Sequence, residues 1–106
     1  MGLQAERIDD LVARIVQAVY PLRILLFGSA ARGDSNEASD VDVLVVMPEG
    51  VHRRRTAQDI YARIWNLGVP VDVVVATPSD LDKYKNTRGL VYRSALREGR
   101  ELYASR

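Results

Sequence analysis

Cysteine is absent from this chain of 106 residues, and histidine, tryptophan and phenylalanine each occur once. Without cysteine the chain can form no disulfide and carries no thiolate nucleophile or thiolate metal ligand, which fits a reducing compartment. A single histidine cannot complete a zinc site. No apolar run approaches the ~20 residues of a membrane span, and the acidic start lacks the apolar core of a secretory signal. We therefore expect a cytoplasmic protein that has no membrane partner.

A charge excess of either sign is also missing, because 15 basic residues face 14 acidic ones. A net charge of +1 provides no overall attraction for nucleic acid, which we do not expect as a direct partner. The local run His52 to Arg55 is read as the solvated start of a helix, with a partner surface or an RNA contact as the open alternative. At 47% hydrophobic and 27% charged residues, residues 1–106 are expected to form one domain.

Hydrophobic periodicity predicts alternating helices and strands along the chain. Steps of three and four predict helices over 5–20 and 51–67, and short apolar runs predict strands over 23–27, 40–47 and 69–76. A turn at 77–80, where Ser79 or Asp80 could cap the next helix, leads to helical segments over 81–86 and 90–98. Residues 101–103 are expected either to add a short edge strand or to dock the tail. The predicted buried stripe of the second long helix consists of Ala57, Ile60, Tyr61, Ile64 and Trp65, and Gly68 is its predicted stop.

The stretch from Gly28 to Asp42 joins the first two predicted strands and carries the strongest chemical signal. Strand side chains alternate between faces, so Asp40 and Asp42 project from one side, about 6 to 7 Å apart along the chain. Two such carboxylates can hold a hard divalent cation. Gly28 and Ser29 follow a strand, where backbone N–H groups can approach a phosphate. Together the carboxylate pair and the glycine-serine turn predict a binding site for a metal-bound nucleoside triphosphate.

Each carboxylate also has a structural interpretation. Asp40 could simply form the turn before the strand. Asp42 is harder to explain in that way, since an unpaired carboxylate in a valine-rich strand costs several kcal/mol unless a cation or donors compensate it. Asp72 interrupts another run of valines, and a lone aspartate near a strand start is more often an edge or cap residue.

The spacing Gly28-Ser29, ten residues, Asp40-x-Asp42 resembles the signature of polymerase-beta-type nucleotidyltransferases, and most closely the minimal nucleotidyltransferase family. The resemblance implies an α/β fold, a small mixed β-sheet with helices packed on one face and the carboxylates on the other. It implies that Asp40, Asp42 and Asp72 are catalytic and bind two Mg²⁺ ions, and that Gly28 and Ser29 hold the phosphates of ATP. Arg32 matches a nucleotide-binding position, although it could instead pair with a nearby aspartate.

The family resemblance also implies a partner. Larger members add a helical lobe for the acceptor, so here the acceptor is expected on another protein, such as a HEPN-type toxin whose tyrosine receives AMP. The chain would then be the antitoxin of a toxin–antitoxin pair. Two alternatives stay open: a non-catalytic binding antitoxin with a vestigial nucleotide site, and a homodimer that nucleotidylates a small, aminoglycoside-like alcohol.

Overall fold

The computed structural model describes residues 2–27, 41–84, 97 and 99–105. Within these ranges the helices are α1 (Gly2–Val19), α2 (Arg53–Ile64) and α3 (Pro78–Tyr84), and the strands are β1 (Arg23–Phe27), β2 (Val41–Val46), β3 (Val71–Ala76) and β4 (Arg100–Ala104). In this part of the chain, no helix combines the length and the hydropathy that crossing a bilayer requires.

The four strands form one mixed sheet in the order β3-β2-β1-β4. Strand β1 pairs antiparallel with both β2 and β4, whereas β2 and β3 run parallel. A parallel pair requires a crossover connection, which α2 supplies. The predicted mixed sheet and the predicted edge strand near the C-terminus are therefore confirmed, and β3 and β4 are the two edges.

The larger core lies between the sheet and the helices α1 and α2. Alternate residues of each strand point to this face, among them Ile24, Leu26, Val43 and Val45. Helix α1 contributes Leu11 and Ile15, and helix α2 contributes Ile60 and Ile64. These two helices pack on one face of the sheet as predicted.

A smaller core covers the opposite face of the sheet. It consists of Leu25, Phe27, Leu44, Val46, Ala76 and Leu81. Because Leu81 belongs to α3, the short helix adds cover on the face that also carries the aspartates. Both faces of β2 are consequently buried along its second half.

Helix α2 ends at Ile64, three residues earlier than predicted, and its aromatic residues are not in the core. Trp65 is the C-cap residue and is 79% exposed, so the prediction that it is buried was wrong. Leu67 takes the buried position instead. Tyr61 is 43% exposed and lies over the edge of the sheet, where its hydroxyl accepts a hydrogen bond from the Val73 amide at 2.9 Å.

The helix caps also differ from the sequence prediction. His52 is the N-cap of α2, and its Nδ1 accepts the Arg55 amide at 3.1 Å. At α3 the cap is Thr77 rather than Ser79 or Asp80. The Asp80 amide donates to the Thr77 hydroxyl at 3.3 Å, and the Asp80 carboxylate accepts the Thr77 amide at 3.0 Å. This reciprocal pair is a capping box in which aspartate replaces the usual glutamate.

Asp80 also joins α3 to α2, which predicts a pH-dependent stability. Arg53 donates to both carboxylate oxygens at 2.7 Å, and Arg53 first, then Thr77, lower the pKa of Asp80 from 3.8 to about 2 against the opposing effect of burial. Because the pKa is lower in the folded state, the stabilisation is complete above pH ~4 and is lost as the pH falls towards 2.

Asp80→Asn is expected to lower the free energy of unfolding at pH 7 by about 1 to 2 kcal/mol. It should also flatten the loss of stability between pH 4 and pH 2. Urea denaturation at several pH values measures both effects. Asp59→Asn, at an exposed position of α2, is the matched control, and equal effects of the two substitutions would contradict the assignment.

Gly68 ends the α2 region in a left-handed conformation with φ +92°, as its predicted role as a stop requires. A Cβ on Gly68 would lie 3.1 Å from Nη1 of Arg7, which donates to the Gly68 carbonyl at 2.9 Å. Gly50 has nearly the same φ of +91° but open space around its Cβ position.

Gly68→Ala is therefore expected to destabilise the chain by about 1 to 2 kcal/mol, and Gly50→Ala by less, because the second variant bears only the backbone strain. Urea denaturation of the two variants compares them directly. A larger loss for Gly50→Ala would show that contact with Arg7 does not matter.

Candidate active site

Asp42 and Asp72 occupy equivalent places on neighbouring strands. Each is the second residue of its strand, and the two are register partners across the parallel pair of β2 and β3. Because side chains alternate along a strand, both belong to the face that carries Leu44 and Val74 two residues further on. Those two residues pack in the smaller core, so both carboxylates project from the face opposite α1 and α2.

The spacing of strands brings the two carboxylates close together. Hydrogen-bonded strands lie about 4.8 Å apart, and register partners on one face are direct neighbours. The two strands are also aligned at this end by a hydrogen bond of 2.9 Å from the Val41 amide to the Pro70 carbonyl. The carboxylates of Asp42 and Asp72 can therefore bind the same ligand or ion.

Burial increases along both strands away from the aspartates. Asp42 is half-buried and Asp72 is exposed, whereas the later residues of both strands are increasingly covered. The expected cost of burying Asp42 is thus smaller than its valine-rich surroundings suggested, since the carboxylate lies at the open end of the strand. Direct like-charge neighbours in a sheet are nevertheless unfavourable. A bound cation would remove that repulsion.

The donor set fits Mg²⁺. This ion prefers oxygen ligands, is often held by one or two carboxylates and keeps several waters, which an exposed position allows. Asp42 and Asp72 supply two carboxylates at an open site. Within the described ranges no group of three or more acidic, histidine or cysteine side chains surrounds a common point. Asp40, the third predicted metal ligand, lies outside those ranges.

The other predicted site residues lie outside the described residues, namely Gly28, Ser29, Arg32 and Asp40. Their roles stay predictions. Their nearest described neighbours are Phe27 and Val41, and both lie at the same end of the sheet as the aspartates, because Phe27 is the register partner of Asp42 and Val41 precedes it. The segment that joins β1 to β2 therefore leaves and re-enters the sheet beside Asp42.

Tyr61 is a neighbour of the site that sequence reasoning assigned to the core. Its hydrogen bond to the Val73 amide fixes the free edge of β3 one residue after Asp72. An aromatic residue with a polar tip is typical of such a boundary position. The sequence does not reveal that α2 lies against the edge of the sheet. Without that information, a tyrosine in contact with the sheet edge cannot be told from a tyrosine in the core.

A family model described as nucleotidyltransferase domain matches residues 8–101. The chain belongs to this family. The match begins within α1 and ends at the second residue of β4, so it covers most of the chain. It confirms the assignment of the chain as a nucleotidyltransferase enzyme and agrees with the observed α/β fold.

Two comparisons place the nucleotidyltransferase among its relatives. A protein of Methanocaldococcus jannaschii named "Putative protein adenylyltransferase" is 35% identical over 82 residues, which are 76% of this chain and 77% of that protein. A solved structure described as "Structure of putative minimal nucleotidyltransferase" superimposes with a TM-score of 0.62 at 28% identity and covers 93% of this chain and 91% of that chain. The resemblance to the minimal family is thereby confirmed.

A third comparison concerns the fold alone. A structure described as "Crystal structure of the toxin-antitoxin with AMP-PNP" superimposes with a TM-score of 0.60 at 20% identity and covers 92% of this chain and 74% of that chain. The same backbone arrangement therefore occurs in a protein of a toxin–antitoxin assembly crystallised with a nucleotide analogue.

Proposed function

We propose that this nucleotidyltransferase moves AMP from ATP to a hydroxyl group of a partner protein. The observation that carries the proposal is the register pairing of Asp42 with Asp72 on one open face of the sheet. Family membership supports transfer of a nucleotide, and the name of the archaeal relative supports AMP and a protein acceptor.

The proposed reaction is a single displacement at phosphorus. The acceptor oxygen forms a bond to the α-phosphorus of ATP, the bond between that phosphorus and the bridging oxygen breaks, and pyrophosphate leaves. The acceptor loses its proton to the solvent beside Asp72, whose negative charge favours this loss. The product is a phosphodiester between AMP and the protein.

Each site residue has a proposed role. Asp42, together with Asp40, would hold Mg²⁺ with the triphosphate, and Asp72 would complete the site on the side of the attacking hydroxyl. Two Mg²⁺ ions, when bound, would neutralise the charge that develops on the attacking and leaving oxygens. Ser29 and the backbone at Gly28 would hold the terminal phosphates as an N–H nest does. Arg32 would add a phosphate contact.

The proposed biological role is that of an antitoxin. The structural likeness to a protein of a toxin–antitoxin assembly supports a toxin as the acceptor, and we propose a tyrosine of a HEPN-type helical protein as the modified residue. We propose the cytoplasm as the location of the reaction, because ATP is the proposed donor. Modification would add a bulky anionic group to the toxin and so block its activity.

The test combines the purified chain, ATP labelled in the α-phosphate, Mg²⁺ and a purified HEPN-type helical protein as the proposed acceptor. We expect label on a tyrosine of the helical protein and loss of labelling when EDTA removes the metal. Labelling with ATP carrying the label in the γ-phosphate should not occur. Neutralisation of the toxin by an unlabelled stoichiometric complex would contradict the proposal and favour a binding antitoxin.

A further inference from the structure

One exposed face of α2 is unusual in composition. Arg54, Gln58, Tyr61 and Trp65 recur at steps of four, three and four, which places them on one side of the helix, and all four are exposed. We call this surface the outer stripe. Trp65 is the single tryptophan of the chain and is 79% exposed. Tryptophan, tyrosine and arginine are the residues that most often dominate the energy of protein interfaces.

The outer stripe adjoins the carboxylate site at the edge of the sheet. The Tyr61 hydroxyl accepts the amide of Val73, which follows Asp72 directly. Helix α2 packs on one face of the sheet and the Asp72 side chain projects from the other, so only the edge strand β3 separates them. The distance from one packed layer to the next is about 10 Å, and three or four residues of an extended peptide can span it.

The same hydrogen bond argues against docking by strand addition. The Pro70 carbonyl accepts a hydrogen bond from Val41 in β2, and the Ala76 carbonyl accepts one from Met47, the residue after β2. The backbone groups of the odd-numbered residues of β3 therefore face outwards. One of these groups, the Val73 amide, is already occupied by Tyr61. The Tyr61 side chain thus covers this amide at the middle of the edge, which favours side-chain contacts to the outer stripe over a continuous added strand.

The charge of α2 indicates the chemistry of the partner. The helix contains four arginines and one aspartate. Asp80 neutralises Arg53, whereas Arg54 and Arg55 form no ion pair within the described ranges. Two such arginines beside exposed aromatic rings suit a protein surface with a few carboxylates. Nucleic acid would need a longer row of phosphate contacts, and the chain as a whole has a net charge of only +1.

We propose that the outer stripe, with Arg55, docks an acidic segment of the protein substrate within a few residues of its acceptor hydroxyl. The inference rests on the proposed adenylyl transfer and adds a substrate class to it: hydroxyl residues flanked by aspartate or glutamate. Trp65 and Tyr61 provide the apolar contact, and Arg54 and Arg55 select the charge. The acceptor residue then reaches around β3 to Asp72.

Trp65 provides the test, because the fluorescence of a single tryptophan reports directly on this surface. A random copolymer of glutamate and tyrosine is titrated into the intact protein. We expect a saturable change in Trp65 emission, and at least about tenfold weaker binding by Arg54→Glu combined with Arg55→Glu. Calorimetry should show a similar loss for Trp65→Ala. The matched controls are Arg100→Glu, which reverses an exposed charge on β4, and Tyr20→Ala, which removes an aromatic residue that is 76% exposed elsewhere.

Several outcomes would overturn the proposal. These are the absence of a saturable change, an equal response to a lysine–tyrosine copolymer, and unchanged binding by folded stripe variants. Tighter binding of an oligouridylate than of the acidic copolymer would assign the surface to RNA. Asp72→Asn separates this proposal from the enzymatic one, since that variant should keep the fluorescence response while it loses transfer.

Discussion

Asp72→Asn is expected to lower the rate of nucleotidyl transfer by more than about 100-fold while the fold is retained. Loss of a partner that only orients a metal ligand already costs about 10- to 100-fold, and Asp72 is proposed as a ligand itself. The substitution preserves the shape of the side chain and removes only its charge. Asp72 is exposed at the start of an edge strand, so no packing is disturbed. Initial rates with saturating ATP and Mg²⁺, together with circular dichroism, measure the two expectations.

Asp42→Asn should cause a loss of similar size, because the register makes the two aspartates direct neighbours on one face of the sheet. The matched control is Asp59→Asn, which removes a carboxylate from an exposed position of α2 and should leave the rate within about twofold, as surface substitutions remote from a site usually have small effects. Full activity in either strand variant would exclude the two-carboxylate site.

Mg²⁺ with a non-hydrolysable ATP analogue is expected to stabilise the wild-type chain strongly. A ligand at 100 times its Kd adds about 2.7 kcal/mol to the free energy of unfolding. For a domain of this size that corresponds to a rise in Tm of roughly 10 °C. Asp72→Asn should lose most of the rise. Without metal the same variant should be as stable as the wild type or more stable by about 0.2 to 1 kcal/mol, because a like-charge neighbour has been removed.

Thermal denaturation with and without Mg²⁺ and the analogue tests both expectations for Asp72→Asn, namely an unchanged or higher Tm without ligand and a smaller rise in Tm with ligand. Asp80→Asn is the informative control. This substitution weakens the fold near α3 but leaves Asp42 and Asp72 intact. The Tm of the variant without ligand should therefore be lower than that of the wild type, and the ligand should raise it by the same amount. An equal rise in the Asp72→Asn variant would show that the nucleotide binds without that carboxylate.

The sheet could be predicted from the sequence because its strands are short apolar runs with clear ends. The strand at 23–27 was predicted with the bounds that the structure shows, and the predicted edge strand lies within β4. The shared face of Asp42 and Asp72 was also predictable once the family resemblance had paired their strands. The catalytic and metal-binding roles of Asp42 and Asp72 remain predictions, and so do the roles of Gly28, Ser29, Arg32 and Asp40, which lie outside the described ranges.

The errors concern residues whose environment depends on tertiary contacts. Trp65 continues the helical spacing of the buried residues, so periodicity alone places it in the core. The helix ends one residue before it, and Leu67 fills the space instead. Thr77 was overlooked as a cap because Ser79 and Asp80 are equally suitable residue types. Only the reciprocal hydrogen bonds with Asp80 show which position begins the helix.

The most direct test of the account is where a metal ion binds. In an amide NMR spectrum, Mn²⁺ added with the ATP analogue should broaden the signals of Asp42 and Asp72 and their strand neighbours first. Ala76 lies four residues further along β3, about 13 Å away at the rise of a strand, and its signal should persist at that metal concentration. Broadening centred instead on Glu49 and Asp80 at the opposite end of the strands, or none, would contradict a metal–nucleotide site at the paired aspartates.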